Sequence, residues 1–530
     1  MVRAAAIASP ERAVLSRRWL VLVGLALLSA VVIFVVDHSY SIYDDSYIYL
    51  RYVKNLRGGC GLRFNCGGAP VEGFTSPLYL AALTAGSLVV PDLEGLTQLF
   101  GTVFLALALF VTASTAQRMG LDRRATILVA MLGVAGTLGV DHRVLLNAVT
   151  GLETALACLI VALLVRTALD PRAPWLRTLA VAAVLTRPEC LIFVGLLPLL
   201  PRARTFRYLA PVGLALLGLA AVRWEIFGAL VPNTYLAKSG GTIDHVRLGA
   251  DYVLGAATDF PAIVLAPLAL LLRPARAPVR WILVSSLIWF AFFLRSGGDA
   301  FQYSRLALPL VPTLTLLAVA GACAACERIA DHLVGWRRVC VPALVAVLAG
   351  GALGTRVVHA TDSQHGFALV QGYEQVGTFL HAWYPGASVA SVPVGAIGYL
   401  SEGHVYDIVG LVTKEVAVAG RGLPRARLTK ESIGHERHNT QWVLAQQPQI
   451  IVTSTYRRRV AGAPPAPQSW WTDVDKLGVG MYPEQLILRE VQEGRAPYQL
   501  YNAEVSPGVY WALLLRNDLP LPDTANHPWL

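Results

Sequence analysis

The chain has 530 residues, of which 55% are hydrophobic and only 15% charged, with a formal net charge of +10. Charge-free runs such as Trp19–Val36, Leu99–Ala116 and Val339–Gly354 are long enough to cross a bilayer and too many to be the core of one soluble domain. The basic residues gather in short loops between apolar runs, among them Arg17/Arg18, Arg118/Arg123/Arg124 and Arg202/Arg204/Arg207. The positive-inside rule makes these the cytoplasmic loops, so the excess charge reports topology and calls for no nucleic acid. Phosphate-cradling P-loop and zinc-spaced Cys/His patterns are missing.

In chain order, the first run, 19–36, is too long for an ordinary secretory signal and reads as a retained span. Further spans are expected at 96–116, 125–140, 153–169, 207–223, 260–273, 279–295, 305–323 and 337–358, with a short pair at 176–187 and 190–201. That makes about eleven spans and places the C-terminus outside. Ser76–Val90 is apolar but short; counting it as a span would put the Arg118/Arg123/Arg124 loop outside, so a re-entrant or interfacial segment is expected. The expected fold is an all-α polytopic membrane protein (residues 1–360, with a first external loop at 37–95) followed by an extracytoplasmic α/β domain (361–530). In that domain Ser388–Pro393, Val405–Val409, Gln449–Thr453 and Tyr498–Val505 read as strands and Glu436–Gln446 as helical.

This topology brings most of the unusual polar motifs to one side. The first loop opens with Asp44-Asp45, two adjacent carboxylates whose repulsion raises the pKa of at least one. Near a low-dielectric boundary such a group suits a general base for a sugar hydroxyl; holding a divalent cation and a plain helix cap are the alternatives. Arg51, Lys54 and Arg57 follow at three-residue spacing, on one helical face able to meet phosphate groups or to snorkel at an interface. Cys60 and Cys66 lie in a glycine-rich turn on the oxidising side, either as a disulfide or as two free thiols. Glu72, Glu153, the Arg187-Pro188-Glu189 break, Asn233 with Lys238, and Gly297-Gly298-Asp299 with Arg305 complete the set. Ionisable groups at the mouth of a membrane bundle are functional-site hypotheses by default, though Arg187 and Glu189 could equally pair and fix the break. Cys323 and Cys326 form a C-x-x-C at the cytoplasmic end of a span without partner ligands, and membrane packing accounts for Cys158, Cys190 and Cys340.

Taken together, D-D-x-x-I-x-x-R-Y-x-x-N-L-x-x-G-x-G-L-x-F-N-x-G-x-x-V-E-G-x-T-S, then G-L-E, R-P-E, L-V-P-N-T-x-x-A-K and G-G-D-x-x-x-x-x-R-x-x-x-P, over residues 40–315, resembles the terminal β-(1→2) arabinofuranosyltransferases of mycobacterial and corynebacterial cell walls (AftB), members of the GT-C superfamily. The resemblance implies a polyprenyl-phosphate sugar donor (decaprenyl-phosphate arabinose), an external arabinan acceptor, and a multi-pass protein of the plasma membrane. It implies catalysis by Asp44 and Asp45, donor-phosphate binding by Arg51, Lys54, Arg187, Lys238 and Arg305, and substrate binding by Glu72, Glu153, Glu189, Asn233 and Asp299. The superfamily picture of one Asp as base suits inversion, whereas a β-linked product from a β-linked donor requires retention, so base and charge stabiliser both stay open for the pair. Cys60 and Cys66 depart from the family pattern, and the C-terminal domain does not map onto it. The competing readings are a GT-C transferase of another sugar, such as mannose, and a transporter or flippase. A transporter would carry charges within spans and often a repeated half, neither of which is seen.

Overall fold

The computed structural model describes residues 42–119, 150–169, 174–200, 206–238, 243–272, 276–300, 304–330, 369–429, 432–458 and 481–522. The spans expected at 19–36, 125–140 and 337–358 lie outside the described residues.

The described part of the membrane bundle begins with α1 (Asp44–Arg57) and α2 (Pro77–Gly86), and continues through α3 (Leu93–Arg118), α4 (Thr154–Ala168), α5 (Trp175–Thr186), α6 (Phe206–Phe227), α7 (Asn233–Ala237), α8 (Ile243–Asp259), α9 (Arg276–Ser296) and α10 (Val311–Ala330). Among the described residues, Leu93–Ala116, Tyr208–Phe227, Ala277–Ser296 and Arg305–Ala325 are long and apolar enough to cross a membrane. The expected span at 260–273 is instead the second limb of a bent pair: α8 runs to Asp259, and Ala262–Leu271 leaves it at 88°. Pro261 sits in the break, where its ring and missing N–H stop the first helix. Arg187 likewise precedes a proline, is extended at φ −151°, and ends α5. Short helical turns follow it to Leu199.

The largest departure concerns α1. Its basic residues suggest a helix lying at an interface, yet Tyr47, Ile48, Leu50, Tyr52 and Val53 are all nearly inaccessible, and Arg51 is only 5% exposed. The cover comes from the C-terminal sheet domain, whose α11 (Gly395–Ser401) packs along α1. Gly395 permits this approach, since a Cβ there would overlap the Asp44 carbonyl.

That domain is a five-stranded mixed sheet of β1 (Val389–Ser391), β2 (Val405–Asp407), β3 (Ile450–Arg458), β4 (Tyr498–Ser506) and β5 (Val509–Arg516), in the order β2-β1-β3-β5-β4. β1 is parallel to β2 and β3, and the β4–β5 hairpin closes the other side antiparallel. Four strands fall on stretches read from sequence as strands. β5 was not foreseen: its apolar run YWALLL is buried on both faces and so lacks the alternation that marks a half-exposed strand. The helix-like 436–446 stretch is helical only over Thr440–Ala445, capped by Asn439 accepting from Trp442 N.

Candidate functional site

The two adjacent carboxylates have different surroundings. Asp44 Oδ2 accepts from Gly395 N at 3.0 Å and Oδ1 from Ala396 N at 2.8 Å, so it caps the first turn of α11 from another part of the chain. Burial, more than the neighbouring Asp45 charge, pushes its pKa up to about 7. Asp45 is half-buried and, among the described residues, makes no hydrogen bond or ion pair. Its charge acts on Arg305 and on His435.

Around Asp45 stand paired charges. Arg305 grips Asp299 through Nε at 2.9 Å and Nη2 at 3.4 Å. Arg187 lies 3.1 Å from Glu153 and 3.4 Å from Glu189. Arg305 also feels the charges of Arg187 and Glu153, so these pairs share one neighbourhood with Asp45. Glu153 opens α4 and is held by Tyr49 Oη of α1 at 3.4 Å. Tyr43 N and Ser46 Oγ of the first loop both donate to the Thr150 carbonyl, which fixes α1 against the mouth of α4. Lys238, just past α7, is exposed and has no partner among the described residues.

Other expected site residues hold the frame together. Arg51 Nε donates to the Phe64 carbonyl and Nη2 to the Gly403 carbonyl, both at 2.6 Å, Nη2 also to Asn65 Oδ1 at 3.1 Å, and Nη1 to the Gly398 carbonyl. Four of its five N–H groups are thus satisfied by protein, which ties the first loop to the sheet domain. Lys54 pairs with Glu402 at the surface, away from the Asp45 cluster. Glu72 is buried and bound bidentately by Arg223, with contacts of 2.7–3.1 Å. Asn233 donates to the Gly410 and Leu411 carbonyls at 2.7 and 2.9 Å, in a loop shaped by buried Asp407, which accepts from Val409 N and Val412 N. Cys60 and Cys66 form a disulfide with Cα atoms 5.2 Å apart. Beside it Asn65 bonds Val405 in both directions, each at 2.9 Å.

Three contributors escaped the sequence reading. Arg223, an arginine at the end of an apolar helix, carried the general signal of an ionisable group at the mouth of a span. His435 and Glu436 come from the sheet domain, and no local pattern links them to residues nearly two hundred positions earlier. Glu436 meets His245 at 3.4 Å. Among the described residues, no group of three or more His, Cys, Asp or Glu is placed to hold a metal ion.

Residues 363–501 match a family described as Domain of unknown function (DUF8728). None of the curated proteins matches the chain. Among solved structures, ArnT from Cupriavidus metallidurans is similar both bound to undecaprenyl phosphate (TM-score 0.54, 12% identity, 94% of this chain and 98% of that one) and in the apo state (TM-score 0.51, 13% identity, 95% and 98%). At this identity the likeness shows the fold alone: a helical bundle with several helices long and apolar enough to cross a membrane, followed by a C-terminal sheet domain.

Proposed function

We propose that the protein is a glycosyltransferase of the plasma membrane. On the extracytoplasmic face it moves a sugar, in the first place D-arabinofuranose, from a polyprenyl-phosphate donor to a terminal arabinan hydroxyl of the cell-wall glycan. The observation that carries the reading is the division of labour in the acidic pair. Asp44 is tied to two backbone amides, while Asp45, among the described residues, stands unpaired in the neighbourhood of arginine–carboxylate pairs. That a chain of the same fold binds undecaprenyl phosphate supports a polyprenyl-phosphate donor.

In this reading Asp45 takes the acceptor hydroxyl's proton as that oxygen bonds to the anomeric carbon. The bond from the anomeric carbon to the phosphate oxygen breaks, and its electron pair leaves with the polyprenyl phosphate. Lys238, Arg187 and Arg305 supply positive charge to the departing phosphate. Glu153, Glu189 and Asp299 hold the two guanidinium groups in orientation, and Glu72 and Asn233 fix the wall formed with the sheet domain. Such a single displacement inverts the anomeric centre. A product retaining the donor's configuration would make Asp45 the stabiliser of the oxocarbenium-like charge instead.

The test is a proteoliposome assay with radiolabelled decaprenyl-phosphate arabinose or polyprenyl-phosphate mannose and an arabinan oligosaccharide acceptor. The reading expects label from the arabinose donor in the oligosaccharide. Transfer from the mannose donor alone would move the assignment to another sugar. Movement of the lipid across the bilayer without transfer from either donor would make the protein a flippase.

A further inference from the structure

The sheet domain sends one loop into the cluster around Asp45. On either side of its tip the loop is pinned to α8, where Arg425 pairs with Asp244 at 2.7 Å and Glu436 meets His245 at 3.4 Å. At the tip, Ile433 is buried and His435 N donates to the Ser432 carbonyl at 2.9 Å, closing a tight turn. Gly434 takes φ +84°, and a Cβ there would stand 3.3 Å from Lys238 Cε, so the turn lies directly against the lysine stem.

This turn places His435 among groups from four different elements. The charges acting on its ring are Asp45 of α1, Lys238 past α7, Asp299 of the turn after α9, and Glu436 of its own loop. Its Nδ1 is shut off from solvent and has no hydrogen-bond partner among the described residues, and the same holds for Oε2 of Glu436. Buried polar atoms are normally paired, and an orphan ring nitrogen on a turn packed against the Lys238 stem, within the electrostatic reach of Asp45, calls for a ligand. Burial lowers the His435 pKa, so at neutral pH the ring is uncharged, with one N–H to donate and one lone pair. A neutral donor beside a free ammonium suits an anionic oxygen such as that of a phosphate.

Resting on the glycosyltransferase reading, we propose that the Ser432–Glu436 turn completes the donor site from the sheet domain, with His435 Nδ1–H bonding a phosphoryl oxygen of the polyprenyl phosphate beside Lys238. The C-terminal domain is then a part of the donor site and not only a cover over the first loop.

The experiment measures binding of undecaprenyl phosphate to the full-length protein in nanodiscs, with thermal unfolding of each variant in parallel. His435→Ala weakens binding by about tenfold or more, the loss expected for one hydrogen bond to a charged group. His435→Asn carries an amide N–H near the position of Nδ1 and recovers most of the affinity. His435→Gln extends its amide toward the position of Nε2 and does not. A merely structural histidine would show no such order. Wild-type affinity in both His435→Ala and His435→Gln, or equal loss in Asn and Gln at wild-type stability, would overturn the assignment of the loop. Failure of the wild-type protein itself to bind undecaprenyl phosphate would overturn the glycosyltransferase reading and this proposal with it.

Discussion

Replacing Arg51 with methionine separates a structural clamp from a phosphate ligand. The side chain is buried, and its four hydrogen bonds go to the carbonyls of Phe64, Gly398 and Gly403 and to Asn65 Oδ1. The guanidinium also lies 4.6 Å from the Phe64 ring centre. Methionine keeps much of the stem volume and withdraws every donor from the Gly398 and Gly403 carbonyls, leaving the Phe64 carbonyl with Asn55 Nδ2 alone. At roughly 1 kcal/mol net per hydrogen bond, the four together come to about 4 kcal/mol, and the ring contact adds about 1 kcal/mol. The weakened region is the seam between the 58–68 turn and the sheet domain. The measurements are thermal unfolding and the rate of protease cleavage in that turn, followed by donor KM on the surviving folded protein. The expected result is a lower melting temperature and faster cleavage at an unchanged KM. Wild-type stability with a KM raised tenfold would refute the clamp and restore the phosphate role that the three-residue spacing suggests.

Glu72 and Arg223 form a pair whose halves depend on each other. Arg223→Leu leaves a buried carboxylate without its cation and costs about 3–5 kcal/mol, whereas Glu72→Leu combined with Arg223→Leu recovers most of that loss, read as folded yield and melting temperature. Equal damage in the single and double variants would contradict the pairing. Glu484 is buried in the sheet domain, accepts from Ser454 N and Oγ and from Met481 N, and is pushed up to about pH 7 by burial. Folding therefore favours its protonated form. The stability it contributes is present below about pH 4.5 and is lost as pH rises through about 7. Melting curves between these limits fall with pH in the wild type and fall less steeply in Glu484→Gln; parallel slopes would remove Glu484 from the account.

The sequence showed most readily what local pattern encodes. Leu93–Arg118 and Arg276–Ser296 are helices where charge-free runs predict spans, and Val405–Asp407 and Tyr498–Ser506 are strands on the stretches read as strands. Local pattern misleads where a distant segment changes the environment. The face of α1 carrying Arg51 reads as amphipathic only as long as α11 is not laid over it. Asp44 and Asp45 are indistinguishable in sequence, and what separates them is the N-terminus of a helix some 350 positions later. Glu153, Arg187, Asp299 and Arg305 lie within one electrostatic neighbourhood with Asp45. Lys54 does not join them, and Glu72 and Asn233 serve the seam with the sheet domain. His435 reaches the cluster by tertiary contact alone, which no reading of its neighbours GHERHN reveals.

The central claim is that Asp45 performs the chemistry and Asp44 holds the domain that covers it. Single-turnover transfer from decaprenyl-phosphate arabinose, measured on folded Asp45→Asn and Asp44→Asn in proteoliposomes, tests it most directly. The account predicts transfer reduced at least a thousandfold in Asp45→Asn at wild-type stability, an order of magnitude consistent with the loss of general-base assistance. In Asp44→Asn it predicts partial activity together with a lowered melting temperature. Full transfer by Asp45→Asn, or abolished transfer in a stable Asp44→Asn, would contradict it.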